Sequence, residues 1–90
     1  MRLMSTSESA SAAVSAMIVD RTAVADHLLD EVTRIEPYVV LERGRQGMRV
    51  RKLTVTEKLA HSEQTGASVF MADETEQEEF FDLLGQRAAR

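Results

Sequence analysis

Apolar and polar residues recur with changing periods along this chain, and the changes of period mark its elements. Residues 13–19, AVSAMIV, are mostly apolar and suit a buried strand, though the alanines leave a helix open. Asp20 and Thr22 are placed to cap a helix, in which Val24, Leu28 and Val32 recur at i, i+4 and i+8 as one apolar stripe. Asp26, Asp30 and Glu31 take its wet side. Pro37 ends that helix, because it lacks an N–H and disfavours helical geometry at Glu36. Two β-rich runs, YVVLER and MRVRKL, follow on either side of Gly44-Arg45-Gln46-Gly47 and predict a hairpin. With a strand period of two, Met48 and Val50 point inward while Arg49 and Arg51 take the outer face. Thr54 and Glu57 form a Thr-x-x-Glu capping box that opens a helix from Val55 to about Glu63, with Val55 and Leu59 inside. Gly66 then opens a strand, ASVFMA, which Asp73 and Glu74 close. A second box, Thr75 with Glu78, starts a last amphipathic helix with Phe80, Phe81, Leu83 and Leu84 on its apolar face and Gly85 as its stop. The order is β-α-(β)-β-β-α-β-α, a single small α+β domain over residues 12–90 with a central hairpin. Residues 1–11, small, polar and Ser-rich, are expected to be a mobile tail.

Composition narrows the function. Ninety residues with three Phe, one Tyr and no Trp leave a small aliphatic core and little material for a deep substrate pocket. The net charge of −4 argues against a general polyanion binder. The absence of cysteine excludes a disulfide framework, a thiolate nucleophile and an iron–sulfur cluster. No apolar run reaches membrane-spanning length. The N-terminal apolar stretch is broken by Ser15 and followed by Asp20 and Arg21, unlike a secretory signal. A cytoplasmic protein is expected.

The residues that carry chemistry are sparse. His27 and His61 are too few for a metal centre, and His27 with Glu31 supplies only two ligands on one helix face. The acidic run DETEQEE lacks the alternating ligands and central Gly of a calcium loop and suits a solvated helix start. No serine sits in a nucleophile elbow, and GRQG is not a phosphate loop. A non-catalytic protein without cofactor or metal is expected. The one concentration of positive charge is Arg43, Arg45, Arg49, Arg51, Lys52 and Lys58. A basic ribbon can enter the major groove of DNA, but the acidic whole favours an exposed hairpin face or electrostatic docking on an acidic protein. Arg43, Arg45, Arg49, Arg51 and Lys52 are the candidate partner-binding residues. Neither a nucleic-acid nor a membrane partner is expected.

Several segments, in order, resemble the small regulatory (coupling or effector) component of soluble bacterial di-iron monooxygenases, the methane, phenol, toluene and alkene oxygenases. The block over residues 37–60 is the closest: a Pro before an apolar strand, a short turn, then MRVRKLTVTEKLA, similar to that family's basic strand running into a Thr-Val-x-Glu-x-Leu helix start. VSAMIVDRTAVADHLL resembles its first strand, turn and helix, and TGASVFMADET its Gly-led strand and acidic turn. Ala60 and His61 stand where the family usually has Gly, the following stretch is short enough to lack a family strand, and the EQEEFFDLL ending is more helical than most. The resemblance implies no cofactor on this chain. It implies docking on the hydroxylase subunit that holds the di-iron centre, tuning oxygen activation, substrate access and electron-transfer coupling. LLDEVTRIEPYVVLERGRQGMRV also resembles the helix, hairpin and Gly-Arg turn of Phd/YefM-type antitoxins. That resemblance implies operator DNA binding through the basic hairpin and toxin binding through the acidic C-terminal helix.

Overall fold

β-Branched and aromatic residues crowd the stretch after Pro37, and this stretch becomes the middle of a sheet. The computed structural model describes residues 15–89; the tail expected over residues 1–11 lies outside them. The fold is α+β, as the pattern predicts, and the chain divides into two compact units, Met1–Lys52 and Leu53–Arg90.

In the first unit, β1 (Ser15–Asp20), β2 (Tyr38–Gly44) and β3 (Gly47–Lys52) form an antiparallel sheet in the order β1-β2-β3. Ile18 on one side and Arg51 on the other both stand opposite Val40, so β2 is paired along both edges. Val39 and Val40 point to opposite faces, yet both are buried, at 0% and 2% exposure. The predicted hairpin closes through Arg45 and Gln46 between paired Gly44 and Gly47. No non-glycine residue among those described has a positive φ, and the left-handed step falls on Gly47 at φ 116°. Only glycine adopts that conformation without strain.

The continuous helix expected between the Asp20/Thr22 cap and Pro37 does not form. Two 3₁₀ turns, Arg21–Ala23 and Asp26–Leu28, precede a short helix α1 (Glu31–Ile35). The Asp20 carboxylate accepts from the Thr22 N–H and hydroxyl at 2.8 and 2.6 Å. The Asp30 carboxylate accepts from the Thr33 N–H at 2.8 Å, while the Thr33 hydroxyl accepts from the Asp30 N–H at 2.9 Å. Such local side-chain bonds compete with helix propagation. They also hold both aspartate carboxyls below their ordinary range. Val24, Leu28 and Val32 therefore share no helix face, and Val32 is exposed.

The second unit contains α2 (Val55–Thr65) and α3 (Glu74–Ala88). The Thr54/Glu57 box forms as predicted: Glu57 N–H donates to Thr54 Oγ1 at 3.1 Å and Thr54 N–H to Glu57 Oε1 at 2.8 Å. Val55 and Leu59 are buried, with Leu53. Gly66, at φ 77°, closes α2 rather than opening a strand, its N–H bonding the Ser62 carbonyl at 2.8 Å. Residues 67–72 form no strand. The cap of α3 is Asp73, which accepts from the Glu76 N–H at 2.9 Å, not Thr75. The helix passes through Gly85, which is no stop.

Thr54→Ala removes one half of the box and is expected to lower stability by about 1 kcal/mol. A urea midpoint shift in Thr54→Ala that disappears in a Glu57→Ala background would show the two act as a unit. Additive effects would show that they do not.

Candidate functional site

Strand alternation divides the hairpin cations between two faces. Arg49 stands opposite Glu42 and Arg51 opposite Val40, so both arginines share the Glu42 face. Arg49 Nε donates to Glu42 Oε1 at 2.8 Å and Arg51 Nε to Glu42 Oε2 at 2.9 Å. The Glu42 side chain is only 9% exposed, against 70% for Arg49 and 36% for Arg51. The bonds from Arg51 and then Arg49 hold the Glu42 carboxyl below the ordinary glutamate value, outweighing the upward push of desolvation. Because the folded value is the lower one, this contribution to stability is complete above the unfolded value. It fades as pH falls through the folded one.

Arg43 pairs with Met48 and Ser15 and lies with Lys52 on the opposite face. Arg45 sits in the turn, exposed, as are Arg43 and Arg49, while Lys52 is half-buried. The five predicted residues therefore do not make one patch. Their exposed members surround the hairpin end on both faces, a shape suited to steering and orienting an anionic surface. Val50 is half-buried on the face that also holds fully buried Val39, so only the inward placing of Met48 is corrected. Met48 is 47% exposed, whereas the arginine face holds buried Val40 and Glu42. Arg51 is thus a partner of a buried carboxylate as much as an outer charge.

Lys58, counted with the basic run, has a different role. Its Nζ donates to Glu76 Oε1 at 2.7 Å and to the Phe70 carbonyl at 2.8 Å, and it lies 5.4 Å from the Phe70 ring centroid. The Lys58 and Glu76 side chains are 6% and 8% exposed. Glu76 Oε1 also accepts from the Ala72 N–H at 3.0 Å. The Ser62 hydroxyl donates to the Ala67 carbonyl at 2.7 Å, and Thr65 Oγ1 accepts from the Ala67 N–H at 3.2 Å. Side chains of α2 and α3 thus satisfy backbone groups of Ala67, Phe70 and Ala72 within the irregular ASVFMA segment. The acidic run is accordingly not wholly solvated.

His27 and Glu31 are both exposed. Among the described residues no group of three or more His, Cys, Asp or Glu could hold a metal ion, and no helix is long and apolar enough to cross a membrane. Glu42 was recoverable from the sequence, since a two-residue turn aligns it with Arg49. Nothing local marks Glu76 as the partner of Lys58. No protein family, curated protein or solved structure matches the chain.

Breaking a buried ion pair by removing one partner typically costs 3–5 kcal/mol, roughly, because the other charge is left uncompensated. Lys58→Met or Glu76→Leu alone should therefore shift the urea midpoint strongly, and the double replacement should recover much of the loss. Equal, additive losses would show that the pair is not coupled.

Proposed function

We propose that this chain is a cofactor-free, cytoplasmic regulatory protein that docks on the hydroxylase of a multicomponent di-iron monooxygenase. The observation that carries this reading is the run over residues 37–60. It forms strand, two-residue turn, strand and box-capped helix without interruption, the arrangement that the resemblance implies. The chain supplies no chemistry of its own. Arg43, Arg45 and Arg49 at the hairpin end meet an acidic surface of the hydroxylase, with Arg51 and Lys52 behind them. Docking tunes oxygen activation, substrate access and electron-transfer coupling by binding one hydroxylase state more tightly than another, since equal affinity would shift nothing.

A second reading draws support from particular elements. Residues 67–72 do not form the Gly-led strand of the monooxygenase components, and Glu74–Ala88 is a 15-residue acidic helix. Helix α1, the hairpin with its Gly-Arg turn and acidic α3 occur in the order of a Phd/YefM-type antitoxin. In that reading the hairpin meets operator DNA and α3 a toxin.

Added to hydroxylase and reductase, the chain is expected to raise turnover or to reduce peroxide leakage while having no oxygenase activity alone. Arg43→Ala with Arg45→Ala should slow association several-fold at low salt and flatten its salt dependence. Unchanged rate and leakage across a full titration would sink the regulatory reading. A gel shift of operator DNA that the same double variant abolishes, with a counterion-release salt slope, would put the antitoxin reading in its place.

A further inference from the structure

The last helix has two apolar edges, and its own unit uses only one. Glu76, Phe80, Leu83 and Arg87 follow one another along the inner side of α3, where Glu76 meets Lys58 and Arg87 meets Glu63 at 2.8 Å. Phe80 and Leu83 are half-buried there. One step around the helix, Gln77, Phe81, Leu84 and Ala88 recur at i, i+4, i+7 and i+11, and all four are exposed. Phe81 is 58% exposed and Leu84 38%. The Phe81 ring stands edge-on to Phe80, with centroids 6.0 Å apart at 67°, so a half-buried neighbour orients the exposed ring. Beyond this stripe runs an exposed acidic row, Glu74, Glu78 and Asp82, one helical turn apart.

We propose that this outer side of α3 is a docking face for a cationic amphipathic helix of another protein, with Phe81 and Leu84 as apolar anchors and Glu74, Glu78 and Asp82 as the charged flank. An aromatic held in one orientation is a good anchor, because little freedom is lost when it is covered. The acidic row selects a partner whose apolar ridge is bordered by Lys or Arg. It disfavours a second copy of this chain, which would bring the same carboxylates to the seam. The inference does not depend on the hydroxylase reading, and it concerns the same helix that the antitoxin reading gives to a toxin.

The test uses the full chain and two synthetic helical peptides of equal length, one of Leu and Lys and one of Leu and Glu, followed by fluorescence anisotropy. The Leu/Lys peptide is expected to bind with a salt-dependent affinity, and the Leu/Glu peptide not to bind. Phe81→Ser should weaken binding by about tenfold or more, the loss typical of a central anchor. Asp82→Lys should also weaken it and reduce its salt dependence. Glu31→Lys, the same charge change at a residue outside the proposed face, should leave affinity within about twofold. Circular dichroism controls for folding; if Phe81→Ser melts, Asp82→Lys decides. Equal loss in Asp82→Lys and Glu31→Lys would show attraction by net charge alone and overturn the proposal. So would absence of binding, or a dimer in analytical ultracentrifugation that Phe81→Ser dissociates, which would make the occupant a second copy.

Discussion

A buried carboxylate on the central strand decides what the hairpin can present. Glu42 lies across from Arg49 and diagonal to Arg51, and its two oxygens each accept one guanidinium hydrogen bond. A carboxylate this far from water is costly unless it is paired and hydrogen-bonded. The two arginines therefore work first as its counter-charges. Arg49 is the more exposed of the two, so the positive charge of this face is displayed mainly through it. The alternating basic strand is thus neither a bare cationic ribbon nor a simple solvated face.

The second unit repeats the principle with different parts. Lys58 and Glu76, 18 positions apart, bind each other and the backbone of the irregular segment between their helices. That one contact joins α2, residues 70–72 and the start of α3. Exposed pairs such as Arg34–Asp26 and Arg87–Glu63 are worth roughly 0–1 kcal/mol. Breaking the buried pair is expected to cost several times as much. This unit's organisation depends far more on one buried pair than on its surface charges.

Periodicity and turn chemistry made the α+β class, the hairpin and the Thr54/Glu57 helix start legible. Each depends on neighbours in sequence: an apolar run after Pro37, paired glycines, a Thr three residues before a Glu. The first helix was misjudged because its apolar spacing was correct but its local bonds were not weighed. Asp20 with Thr22, and Asp30 with Thr33, capture backbone groups and break it into turns. ASVFMA has strand composition, yet side chains two to five positions away take its Ala67 and Ala72 backbone groups, and Lys58, twelve positions back, takes the Phe70 carbonyl. Among the candidate site residues, alternation put Arg49 and Arg51 on one face and Met48 and Val50 on the other, as the register has them. It did not show that Arg51 would be engaged by a buried acid, because burial of Glu42 is a property of the folded sheet.

The most direct test of this arrangement follows the Glu42 carboxyl carbon by NMR across an acid titration, in the wild type and in Arg49→Ala and Arg51→Ala. If the two guanidiniums hold the buried carboxylate, Glu42 titrates below the ordinary glutamate range. It then moves up when either arginine is removed, further for Arg51, whose hydrogen bond has the larger effect. A carboxyl that titrates at the ordinary glutamate value and is indifferent to both replacements would contradict it, and Glu42 would then be a solvated side chain beside an independent basic face.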